Sequence, residues 1–198
     1  TITENIGNKN IIKEEKKEKK KLPLFIVIGG AIIIIALFAI ILISKTGLEP
    51  KEIRKYKKVY EKSENQQTRF QAVSKVVYYY LSDRFKDMEG RYGKALGFLE
   101  KAIRRGGFSG MDLKTLYELK IEIFKETKNY STAKATFEKM KKVFNGDRML
   151  YPSVLFDEAI FYRDLGQKSK ARKLLRNIYI NYKGTPYGTR AYKEYKKL

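Results

Sequence analysis

The residue types that carry most enzymatic chemistry are missing, for the 198-residue chain contains no Cys and no His. Disulfides, thiolate nucleophiles, zinc sites of the usual Cys/His kind and a Ser-His-Asp triad are excluded because their ligands or bases are not there. Carboxylates, amines and phenols remain. Asp157-Glu158 and Asp83 read as solvated charges on helix surfaces, not as halves of a convergent acid/base pair. The loop Arg105-Gly106-Gly107-Phe108-Ser109-Gly110 has the glycines of a phosphate cradle, but no Lys-Ser/Thr follows and no strand precedes it, so it reads as a plain loop. Asn129-Tyr130-Ser131 spells a glycosylation acceptor and is read as coincidence. The tyrosines, interleaved with lysines, offer faces on which bases stack. Their commoner role is to fill broad helix interfaces with the hydroxyl at the rim. No catalytic residue, cofactor or metal is therefore expected, nucleic acid is not an expected partner, and the chemistry left to the chain is recognition.

The formal charge of +21 belongs mostly to the part after residue 43, which carries about +18 of it. Such a field draws anionic partners: lipid headgroups, an acidic protein surface or a cell-wall polymer. From Leu24 through Ile34 to Ile43 no side chain is charged or polar. As a helix this run is about 30 Å long, the thickness of a bilayer core, and it predicts a membrane span over 22–44. The run is too long for a signal peptide and ends in Ile41-Leu42-Ile43-Ser44-Lys45 without a small-residue cleavage site, so an uncleaved anchor is expected. Lys13, Lys16, Lys17, Lys19, Lys20 and Lys21 crowd its N-terminal side. The positive-inside bias places that tail, 1–21, in the cytoplasm as a disordered Lys-rich segment and the C-terminal domain on the other side of the membrane. Ile53, Tyr56 and Tyr60 at helical spacing after Pro50 suggest a basic juxtamembrane stalk over 45–75, with a second helix from about Glu64 to Asp87.

An internal repeat emerges at an offset of 38 residues. Ala95, Ala133 and Ala171 coincide, as do Leu99, Phe137 and Leu175; Ala102, Met140 and Ile178; Tyr79, Tyr117 and Leu155; and Gly90, Lys128 and Gly166. The common unit is a helix, a short turn and a second helix that opens on a small residue and continues with apolar residues. Such units bury their faces only by stacking on one another. The final run through Ala191, Tyr192, Tyr195 and Leu198 is amphipathic and is expected to cover the last unit.

This pattern resembles the tetratricopeptide repeat, most closely in Leu155, Ala159, Tyr162, Ala171, Leu175 and Ile178, next in Tyr117, Ile121, Phe124, Ala133, Phe137 and Met140. A looser first unit starts around Tyr78, Leu81, Ser82 and Phe85. The resemblance covers about 76–198 and implies an all-α fold: a right-handed α-solenoid of about three helical hairpins with a C-terminal capping helix, preceded by the transmembrane helix. It implies protein ligands in the groove lined by the first helix of each unit. Carried over, the groove positions are Thr115, Glu118, Glu122, Lys125 and Glu126 in the middle unit, and Ser153, Phe156, Ile160, Arg163 and Asp164 in the last. Glu118 and Glu122 stand where a carboxylate clamp has Lys and Asn, so a clamp for a C-terminal carboxylate is not expected. Phe156 and Ile160 are read either as anchors for a partner segment or as residues covered by the C-terminal helix. In overall order the chain is similar to single-span bacterial envelope proteins with such repeats: collar components of periplasmic flagellar motors and the ancillary Sec translocon subunit. The implied role is a scaffold in the inner membrane with a periplasmic repeat domain, oligomeric within a larger assembly. Direct binding of the basic domain to anionic lipid or cell-wall polymer is the alternative.

Overall fold

Eight α-helices follow one another without a strand among the described residues of the structure, a computed structural model that describes residues 49–198. They are α1 (Lys51–Lys62), α2 (Gln66–Leu81), α3 (Arg91–Arg105), α4 (Gly110–Glu126), α5 (Tyr130–Val143), α6 (Leu150–Asp164), α7 (Lys168–Asn181) and α8 (Pro186–Tyr195), with a 3-10 turn at Asp83–Phe85. The expected tail 1–21 and membrane span, with Leu24, Ile34 and Ile43, lie outside the described residues. No described helix is long and apolar enough to cross a membrane.

Short polar side chains start several helices by accepting orphan backbone amides. Asn65 accepts from Thr68 N at 2.9 Å, Asn129 from Thr132 N at 3.3 Å, Asp147 from Leu150 N at 2.8 Å and Thr185 from Gly188 N at 3.1 Å. Asn129 thus has a structural task within the sequence that spells a glycosylation acceptor. The expected helix from 64 to 87 stops at Leu81. Ser82 leaves the helical region, its hydroxyl donates to the Tyr79 carbonyl at 2.7 Å, and its own carbonyl accepts from Arg91 at 2.9 Å. A local hydrogen bond of this kind competes with helix continuation.

Consecutive helices pack on each other, and from α2 onward each even-numbered helix also packs on the next: α2 on α4, α4 on α6, α6 on α8. The apolar faces are divided accordingly. On α4, Leu116, Leu119 and Ile123 join the core shared with α1–α3, while Tyr117, Ile121 and Phe124 join that of α5 and α6. On α6, Val154 and Phe161 join the middle core and Leu155, Phe156 and Ala159 the last. No hairpin closes a core alone. At roughly 1.5–3 kcal/mol for each large apolar side chain buried, neighbours supply the stability that one hairpin lacks. The nine coincident residues of the second helices, from Ala95, Leu99 and Ala102 to Ala171, Leu175 and Ile178, are all buried.

Gly90, Lys128 and Gly166, which coincide at the 38-residue offset, share a left-handed backbone with φ of 68°, 56° and 73°. Each lies in the turn between the two helices of a pair, Gly90 directly before α3, where a positive φ reverses the chain; Lys128 is the one non-glycine to adopt it among the described residues. Within the stretch assigned to a stalk, α1 is packed against α2, with Ile53 and Tyr60 fully buried and the Tyr60 ring edge-on to Phe98 at 5.2 Å. Glu49, just before it, bonds the Lys57 ammonium and the Tyr80 hydroxyl.

Candidate partner-binding groove

Between α4 and α6 the chain leaves a small open groove of about 180 Å³, lined by Glu118, Glu122 and Lys125 of α4, by Asp157, Ile160 and Asp164 of α6, and by Ile121, Phe137 and Phe161 beneath. Helical spacing explains the lining: Glu118, Glu122 and Lys125 repeat at the three- and four-residue intervals that keep side chains on one face. The same holds for Asp157, Ile160 and Asp164. The floor is apolar and the rim ionic, the arrangement of a protein interface. Small-molecule pockets usually run to about 300–1,000 Å³, so this groove fits one protruding side chain better than a cofactor.

The rim is braced from below. Lys114, at 3% exposure, bonds Glu118 one turn along α4 and reaches Asp157 on α6 at 2.7 Å, tying the two helices together. Burial works against its ammonium, but the charges and hydrogen bonds of Asp157 and Glu118 outweigh burial and hold its pKa above the usual lysine value. Burial raises the pKa of Glu118; Lys114 pulls it back, Asp157 pushes it up again more weakly, and the balance stays above the usual carboxylate value. Glu118 and Asp157 thus form a juxtaposed carboxylate pair, the arrangement of an acid/base site. Both are committed to Lys114, and their groove is open. Among the described residues, no group of His, Cys, Asp and Glu could hold a metal.

On its other flank α6 meets α8. Phe156, 4% exposed, lies beneath Tyr187 with ring centres 6.1 Å apart and beneath the Arg190 guanidinium at 4.5 Å. Arg163 bridges to Glu194 of α8 and to its own neighbour Asp164, both at 2.8 Å. The shallow surface over this seam is basic, with Arg163, Arg190, Lys193, Lys196 and Lys197 around Glu194, and Ile160 at its edge.

The structure therefore gathers Glu118, Glu122 and Lys125 into one groove, assigns Phe156 and Arg163 to the α6–α8 seam, and leaves Ile160 half-buried on the crest between them, lining both. Ser153, at 1% exposure, is core and does not face outward as the carried-over geometry implies. Asp157-Glu158 needs correction: Glu158 is 4% exposed and Asp157 is paired, so neither is a free surface charge. The reason is that α6 packs on α4, α5, α7 and α8, leaving little of its circumference to water. Glu158 Oε2 lies 3.0 Å from the Lys141 ammonium but has no hydrogen-bonded partner of acceptable angle. Burial raises its pKa more than Lys141 lowers it.

No family model, curated protein or solved structure matches the chain. Its groove is thus read from its own geometry. Lys114 is the residue that sequence reasoning missed; its place four residues before Glu118 signals their pairing within α4, but not the bond to Asp157.

Proposed function

We propose that this chain is a single-pass, membrane-anchored scaffold whose tetratricopeptide-type repeats hold another protein of an envelope assembly. The observation that carries the proposal is the α4–α6 groove, with Ile160 in an otherwise ionic rim, left open by a stack that seals Phe156 on the neighbouring side. Three features support the repeat type: the packing of alternate helices, the shared left-handed turns, and the buried positions that recur every 38 residues. The apolar run ending at Ile43 supports the anchor, and the lysines before it support a periplasmic repeat domain in the inner membrane. An anchor raises the effective concentration of the groove for partners on the same surface. The collar of a periplasmic flagellar motor is the assembly whose components have this order of parts; a translocon-associated role is the second.

The partner this groove suits presents one apolar side chain to Ile160 and polar or basic groups to Glu118, Glu122 and Asp157. A photo-crosslinker at Glu122 or Lys125 in intact cells is expected to capture one membrane protein, and at exposed Arg176 on α7 to capture none. Adding Ile160→Asp is expected to abolish the capture. Recovery of the chain alone from Glu122 and Lys125, or its release from membranes by alkaline carbonate, defeats the proposal.

A further inference from the structure

Helix α1 has two opposite faces of different character. Ile53 and Tyr60 are fully buried against α2 and α3. Lys51, Arg54, Lys55, Lys58 and Lys62 are all exposed, and none has a hydrogen-bond or ion-pair partner among the described residues. At 3.6 residues per turn these cations fall within an arc of about 100° centred opposite the buried pair. The acids of the helix stand outside the arc: Glu52 lies beside it and Glu61 is turned to Lys101 at 3.2 Å. Other lysines of the described surface are neutralised by a neighbouring acid, as Lys120 is by Glu100 and Lys141 by Glu138. An unneutralised stripe on one helix is self-repulsive, and an extended anionic surface relieves that repulsion.

The length of chain upstream identifies the surface. Glu49, held by Lys57 and Tyr80, is separated from the last residue of the apolar run, Ile43, only by residues 44–48. Fully extended, that connector reaches at most about 20 Å. We propose that the exposed face of α1 docks on anionic phospholipid headgroups of the leaflet from which the apolar run emerges. This inference rests on the anchored reading given above. Each basic residue near such a surface strengthens its binding about fivefold, so the stripe acts as a cooperative unit and not as isolated charges. The attraction is exposed and hence sensitive to salt.

The chain contains no Cys, so Glu52→Cys gives a single labelling site beside the stripe. Full-length protein carrying a fluorophore there is reconstituted into vesicles containing a headgroup-linked quencher, made of phosphatidylcholine alone or mixed with phosphatidylglycerol. Quenching several-fold stronger in the anionic vesicles, lost at high salt, is expected. The combined changes Lys51→Glu, Lys55→Glu and Lys58→Glu are expected to reduce it to the neutral-lipid level, and Lys51→Arg, Lys55→Arg and Lys58→Arg to preserve it, with circular dichroism showing both variants folded. Equal quenching in the two lipids, or an unchanged signal in the Glu variant, overturns the proposal. Absence of quenching in a chain that resists alkaline carbonate overturns it while leaving the anchor intact, and assigns the stripe to an acidic macromolecule. Release by carbonate overturns the anchor and this inference together.

Discussion

Phe156 and Ile160 sit one turn apart on α6 and are covered to different depths. Toward α8, Phe156 disappears under Tyr187 and Arg190, and Arg163 closes the seam to Glu194. Ile160 rests on the same last core but stays half-buried on the crest of α6, at the edge of the α4–α6 groove whose helices are joined by Lys114. Residue type does not distinguish the two. What decides is whether the next helix of the chain arrives close enough to cover the side chain. In a stack of hairpins, core and binding site are therefore neighbouring outcomes of one construction.

Truncating the sealed residue should produce the largest effect. Phe156→Ala removes a buried ring and is expected to cost about 3 kcal/mol in urea unfolding. A loss below 1 kcal/mol would mean that α8 does not hold the seam. Lifting α8 by another route should come next. A Cβ on Gly188 would run into the Tyr182 backbone, with the carbonyl carbon at 2.9 Å, so Gly188→Ala is expected to cost about 2 kcal/mol. It should also speed hydrogen exchange in the last turns of α6, making the sealed side resemble the open one. Ile160→Ala, at the half-buried edge, is expected to cost less than about 1 kcal/mol while losing most of the crosslinked partner. A large stability loss with capture intact would reverse the assignment of the two flanks.

Acid should separate the flanks by the smallest margin. The Lys197 hydrogen bond, with Arg163, lowers the pKa of Glu194, so its contribution is present above the ordinary carboxylate value and lost as pH falls through the lowered one. Burial and Asp157 raise Glu118, so its contribution is greatest below the ordinary value and lost as pH rises through the raised one. Exchange of α8 amides relative to α4 amides is thus expected to increase a few-fold as the solution passes from neutral to below the carboxylate range. A constant ratio would show that the two carboxylates do not govern their seams.

The helical content and hairpin rhythm were legible because α3, α5 and α7 each bury one narrow face, so Ala95, Ala133 and Ala171 recur with apolar residues four and seven positions on. The even-numbered helices were harder to read. On α6, Pro152 through Phe156 are buried in succession, together with Glu158, Ala159 and Phe161, and a helix covered on many sides loses the polar stripe that marks orientation. That is why Glu158 and Ser153 were placed outside and are inside. Glu118, Glu122, Lys125 and Ile160 follow from spacing on two helices of known phase. Their brace does not, because the Lys114–Asp157 contact joins residues far apart in sequence, and periodicity within either helix carries no trace of it. For α1 the sequence shows an apolar stripe of Ile53, Tyr56 and Tyr60 among lysines, but not that α2 and α3 would receive it.

Glu49 is clasped by side chains from two helices, Lys57 on α1 and Tyr80 on α2. A pull on the chain upstream consequently meets a mooring shared by both helices before it can peel α1 open turn by turn. Mechanical load entering from the N-terminal side is absorbed as shear across that first pair, well upstream of the residues that line the groove between α4 and α6.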